Sequence, residues 1–177
     1  MIYEGNRTVG LVSSAVMGAL GFLLMYLHMA LGIFPPYLTY DPGDLPPLLL
    51  GLFLGPGAGM GAEVIKNVLH LLLAGGTPIG TMANLAAGLT FVGTTAFWWR
   101  RRLWGGLPMA MALGVLLTSL VMALLNGFIF LPAWGVPKEA VWTLAKTAIF
   151  PFNLVKFTLT SILGGILWTF VKPWLLR

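Results

Sequence analysis

The chain contains no cysteine, which excludes a disulfide framework, a thiolate nucleophile and a thiolate metal site. Charge is nearly as scarce: 8% of its 177 residues are Asp, Glu, Lys or Arg, against about a quarter in an ordinary soluble domain. Such a chain cannot cover itself with polar surface. With mean hydropathy +0.92 and 58% hydrophobic residues it belongs in a bilayer. No H-E-x-x-H pattern, no nucleophile-elbow serine and no glycine-rich phosphate loop occur. An intramembrane protease would need a nucleophile–base pair or paired aspartates in helices. Here the two histidines, His28 and His70, lie in different segments, and Asp41 and Asp44 lie in a loop. The residues therefore speak against an enzyme and offer no site for a resident cofactor or metal.

What remains is long and apolar. Met1 to Gly10 lacks a signal-peptide pattern, because the run after it is too long. Val9 to Ile33 is uncharged and long enough for one tilted transmembrane helix. Its small residues Ser14, Ala15, Gly18 and Ala19 form a face that another helix can approach closely, in this chain or in a partner. Phe34 to Asp44 holds three prolines and three aromatics, so it is a loop: either a rigid connector or a cover over a ligand. Asp44 is the candidate N-cap of the next helix. Leu45 to Leu54 is apolar but short, and Gly55-Pro56-Gly57 breaks it. Gly59 to Leu73, Ile79 to Trp99, Leu107 to Leu131 and Pro151 to Val171 read as four further helices. Pro132 to Lys146 reads as a connection, with a short helical start from Ala140. The expected fold is one all-α membrane domain over 1–177. It is a six-transmembrane-helix bundle with a Pro/Tyr-rich loop between its first two helices.

The net charge of +5 bears on topology rather than on nucleic acid. Six spans put both termini on one side. Arg7, Arg100 to Arg102, Lys172 and Arg177 all fall on that side, which marks it as cytoplasmic. Asp41, Asp44, Lys138 and Glu139 then fall outside.

The polar residues inside this apolar frame carry the functional argument. Glu63, Lys66, Asn67 and His70 form one stripe on the third segment, where Glu63 and Lys66 can pair. Asn153 and Lys156 share a face at the start of the last helix. Asn126 lies near the outer end of the fifth, and Ala83 and Asn84 toward the outer end of the fourth. Four stretches thus bring amides, an ammonium and aromatics to one level of the membrane. An amide both donates and accepts, and a lysine only donates. A planar heterocycle with ring carbonyls and an N–H would satisfy that set within apolar walls.

Several of these stretches resemble a known family. Pro35-Pro36-Tyr37-Leu38, Tyr40 to Pro46, Gly55-Pro56, Glu63 to His70, Ala83-Asn84 and Pro151 to Lys156 occur in the same order. Together they are similar to the riboflavin-specific S components of energy-coupling-factor (ECF) vitamin transporters. The resemblance implies a six-helix membrane subunit that binds riboflavin from outside. A transmembrane coupling subunit and two cytoplasmic ATPases would complete the transporter in a prokaryotic cell membrane. It implies ligand contacts at Leu48, Ala83, Asn84, Asn126, Asn153 and Lys156. It implies a gating loop with Tyr37, Leu38 and Tyr40, and partner docking through Ala15, Gly18 and Ala19. Two other readings stand beside it: an S component for thiamine, biotin or a folate, and a membrane scaffold with no small ligand.

Overall fold

A computed structural model describes residues 7–175. Arg177, used in the orientation argument, lies outside the described residues. The first helix, α1 (Arg7–Met25), ends well before Ile33. Its last turn tightens, with Tyr26 N–H donating to Leu23 O at 3.2 Å and Leu27 N–H to Leu24 O at 3.1 Å. The expected remainder of the helix instead opens a small hairpin. Strand β1 (Met29–Ala30) pairs antiparallel with β2 (Thr39–Tyr40), Met29 opposite Tyr40.

A 3-10 turn (Pro42–Asp44) follows, and its cap is Asp41, whose carboxylate accepts from Gly43 N–H at 2.9 Å. Asp44, the expected N-cap, makes no capping bond to α2 (Leu45–Leu54). Its carboxylate is engaged by lysines. At Gly55 the backbone takes φ 110°, a left-handed value that suits glycine. Pro56 then starts α3 (Pro56–Leu73) at a position that needs no N–H. The break lets α2 fold back on α3, where a Cβ on Gly59 would lie 2.8 Å from Gly51 Cα.

Thr77 caps α4 (Pro78–Arg100), accepting from Gly80 N–H at 3.2 Å. Helix α5 runs over Gly106–Ala133 and contains a π turn, Asn126–Phe130. The last helix, α6, starts at Lys138–Leu144, passes through a second π turn, Ala145–Ile149, and continues as Phe150–Leu175. Helix α6 therefore begins well before the expected Pro151. Each π turn is followed by one residue and then a proline, Pro132 or Pro151. Proline lacks an N–H and crowds the carbonyl four residues back. A widened turn just before it accommodates both defects.

Among the described residues, six helices form one bundle. Three of them, α1, α5 and α6, are long and apolar enough to cross a membrane. Helix α1 packs mainly on α3, α3 on α4, α4 on α5 and α5 on α6, with α2 enclosed among α1, α3, α4 and α6. The core centres on Leu48, Phe91, Val92 and Phe157, with the Phe91 and Phe157 rings 4.6 Å apart. The fit of α1 on α3 depends on the absence of side chains. A Cβ on Gly18 would meet Ala62 O and Ile65 Cβ at 2.8 Å, and one on Gly21 would meet Gly43 O at 2.7 Å.

Candidate functional site

A cavity of about 870 Å³ opens at the hairpin end of the bundle. Met25 and His28 enter it from the end of α1, and Tyr37, Leu38, Thr39 and Asp41 from the hairpin. His70 comes from the end of α3, and Thr77, Thr81, Ala83, Asn84 and Ala87 from the cap and first turns of α4. Met122, Asn126, Leu131 and Trp134 come from α5 and its end, and Leu144, Ile149, Phe152, Asn153 and Lys156 from α6. The structure thus brings together Tyr37, Leu38, Ala83, Asn84, Asn126, Asn153 and Lys156, which the sequence places on four separate stretches.

Both π turns lie in the cavity wall. Asn126 begins the first of them, and Ile149 ends the second. Asn126 Nδ2 donates to Met122 O and Asn153 Nδ2 to Ile149 O, each at 2.8 Å. These bonds fix both carboxamides to their own helices. Each still keeps an acceptor oxygen and a second N–H, with no partner for them among the described residues.

Asp41 and Asp44, read from the sequence as lying outside in a loop, are both buried, and both face lysines. Lys156 Nζ lies 3.2 Å from Asp41 Oδ2, 3.4 Å from Asp44 Oδ2 and 3.2 Å from Asn84 Oδ1. Lys66 pairs with Glu63 at 2.7 Å and also donates to Asp44 Oδ1. The i, i+3 pair read from the sequence is therefore part of a larger group of three carboxylates and two ammoniums, with Asp44 bridging the two lysines. Asn67 donates to Glu63 O at 2.9 Å and accepts from Asn84 at 3.1 Å, which ties the group to α4. Removing a charge from water is tolerable only with such pairing.

Three expected site residues lie elsewhere. Leu48 is fully buried in the core and is not part of the cavity wall. A Cβ on Gly164 of α6 would lie 2.7 Å from Leu48 Cδ2. Tyr40 is buried as well, because its β pairing turns it away from the cavity that Tyr37 and Leu38 line. Burial raises the Tyr40 phenol above its ordinary value, so it stays a neutral O–H. Gly18 is consumed by the α1–α3 contact, and so is Ser14, whose Oγ lies 2.9 Å from Ala58 O. Ala15 is exposed and Ala19 half-buried.

Sequence reasoning missed His28, Asp41, His70, Thr81 and Trp134 as wall residues. His70 had a signal, the end of the polar stripe on α3. His28 and Asp41 had none, since their places depend on where α1 stops and how the hairpin closes.

The family model described as ECF transporter, substrate-specific component, matches residues 10–168. Riboflavin transporter FmnP of Bacillus subtilis (strain 168) is 31% identical over 176 residues, covering 93% of this chain and 93% of its own. Riboflavin transporter RibU of Staphylococcus aureus (strain TCH60) is 30% identical over 178 residues, covering 94% of this chain and 92% of its own. A solved S component of a bacterial ECF transporter superposes with a TM-score of 0.83 at 29% identity. The match covers 97% of this chain and 100% of that one.

Proposed function

The chain belongs to the family of ECF transporter substrate-specific components, and from that membership we propose that it is the riboflavin-binding membrane subunit of such a transporter. One observation carries the reading: three carboxamides and an ammonium converge on a single cavity with largely apolar and aromatic walls. The polar edge of a flavin ring offers two carbonyls, ring nitrogens and one N–H. Asn126 and Asn153 each hold an acceptor and a donor in reserve, which can take the N–H and a carbonyl. Lys156 supplies charge-assisted donation, shared with the carboxylates already beside it. Ala83 and Ala87 leave room for a flat ring. Riboflavin is the cargo here, and no resident cofactor is part of the proposal.

The remaining roles follow from placement. Tyr37 and Leu38 sit on the loop over the cavity and would act as its gate. Tyr40 and Leu48 would act only as supports. The cavity end faces outside, and both termini face the cytoplasm of a prokaryotic cell. With no ATP-binding motif in the chain, uptake depends on a coupling subunit and its ATPases. Ala15 and Ala19 on the outer face of α1 would dock that subunit, without Gly18.

The deciding experiment is a purification followed by titration. A yellow, fluorescent preparation, or tight binding of added riboflavin, is the expected result. A colourless protein that ignores riboflavin and binds thiamine, biotin or a folate would replace the ligand. One that binds none of them would favour a scaffold. Ala15→Trp should abolish co-purification with the coupling subunit and leave ligand binding intact.

A further inference from the structure

The α3–α4 wall of the cavity carries polar groups that the reading above leaves unused. Thr81 is 7% exposed and lines the cavity, and its hydroxyl has no hydrogen-bond partner among the described residues. A helical threonine usually bonds the carbonyl four residues back, as Thr90 does to Ala86 O at 2.8 Å. Thr81 does not. His70 lines the same cavity, and its Nδ1 is likewise buried without a partner. The two groups meet at Gly76 in the turn between the helices. A Cβ built there would lie 2.6 Å from His70 Nδ1 and 2.8 Å from Thr81 Oγ1. Buried polar atoms with no partner are rare and call for an explanation.

Their level in the cavity supplies one. His70 is three residues beyond Asn67 on α3, and Thr81 three residues before Asn84 on α4. Both steps lead toward the loops, by about 4.5 Å at the rise of an α-helix. Asn84 holds Lys156 at 3.2 Å. The wall therefore has two polar levels: an inner one at Asn84 and Lys156, and an outer one at His70 and Thr81. The outer one consists of an imidazole and a hydroxyl rather than an ammonium or a carboxylate, and a hydroxyl and an imidazole can each both donate and accept. That chemistry matches hydroxyls, which also donate and accept, better than it matches an anion. Resting on the riboflavin reading, we propose that His70 and Thr81 form a hydroxyl-binding subsite for the polyol chain of the flavin, one turn outward from the level that reads its ring.

Two flavins separate this subsite from the ring site. Riboflavin carries the polyol chain, and lumiflavin carries a methyl group in its place. Affinities of the purified full chain for each are measured by quenching of flavin fluorescence. Thr81→Val and His70→Leu should each weaken riboflavin about threefold to tenfold, the loss of one ordinary hydrogen bond. Lumiflavin should change by less than about twofold. Gly76→Ala keeps both side chains and wedges a methyl group between them, so it should reproduce the selective loss where the other variants fold poorly. Equal losses for both flavins, or no loss for either, would overturn the subsite and leave His70 and Thr81 as a clasp on the α3–α4 turn. A wild-type protein that binds neither flavin would overturn the riboflavin reading itself.

Discussion

Lys66 and Lys156 are both buried ammoniums on apolar helices, and they share the carboxylate of Asp44. Their surroundings differ. Lys66 is 0% exposed and closed in by Asp44, Glu63 and the α1 backbone at Gly21, where a Cβ would lie 3.2 Å from its Cδ. Lys156 pairs with Asp41 and Asp44, donates to Asn84, and itself lines the cavity together with Asp41 and Asn84. A buried charge in a membrane helix does not by itself mark a ligand site. Both lysines satisfy the demand for pairing, and only the one that also borders a cavity can offer donors to anything else. Lys66 holds α1, the 3-10 turn and α3 together; Lys156 stands where that framework meets the cavity.

The sharpest way to break this contrast is Lys66→Met. It leaves Asp44 and Glu63 facing each other with one ammonium fewer, and loss of one partner from a buried pair costs about 3–5 kcal/mol. Thermal unfolding in detergent should show a large drop or no folded protein. Adding Glu63→Gln should recover part of it, because Asp44 still has Lys156 at 3.4 Å. A Lys66→Met protein of full stability that had lost flavin affinity would reverse the assignment of the two lysines.

Lys156→Ala should act mainly on binding. A hydrogen bond to a charged group contributes about 1.5–3 kcal/mol, roughly a tenfold to hundredfold change in Kd. Calorimetric titration reads it directly. Stability should fall less than for Lys66→Met, since Asp44 keeps Lys66 and Asp41 keeps its bond from Gly43. Unchanged affinity would remove Lys156 from the site.

Asn153→Ala should weaken binding by a neutral hydrogen bond, about 0.5–1.5 kcal/mol. Combined with Lys156→Ala it should cost less than the sum, because both act on one ligand. The smallest effect is expected of Leu48→Met. A volume-conserving change in a packed core costs less than about 1.5 kcal/mol, and Kd should not move. A clear affinity loss there would return Leu48 to the site.

Helices α2, α3, α4 and most of α5 were legible because breakers bound them. Asp44 and Gly55 bracket α2, and Thr77-Pro78 and the Arg100–Arg102 triplet bracket α4. The end of α1 was not legible. Tyr26 to Ile33 is as apolar as the helix before it and holds no proline. Only the pairing of Met29 with Tyr40, made by residues further along the chain, removes it from the helix. Asn84, Asn126, Asn153 and Lys156 were readable as polar residues on apolar helices, whereas Thr81 on the first turn of α4 was not. The partners of Lys156 were not, since Asp41 and Asp44 look like solvated loop residues until the 3-10 turn folds them inward. Pro132 and Pro151 were visible, but read as a connector and as a helix start. The pattern of a widened turn just before each proline emerges only when the two are compared.

The π turn in α6 can also be described as a phase shift. Successive residues of an α-helix step about 100° around its axis, so one extra residue sets everything after it about 100° further round. This lets Trp142 and Asn153, which an uninterrupted helix would set on nearly the same side, face different neighbours. Before the turn, Trp142 lies against α5, where a Cβ on Gly127 would meet its ring at 2.6 Å. After it, Asn153 and Lys156 face the cavity. Deleting exposed Thr147 would close the turn into a regular α-helix and put the two faces back in phase. The 7-residue segment Lys138–Leu144 is then the part to swing away, since Phe150–Leu175 is 26 residues long and carries the core ring Phe157. Leu144 would leave the cavity wall with it, and the cavity would change shape with Asn84, Asn126, Asn153 and Lys156 still in place.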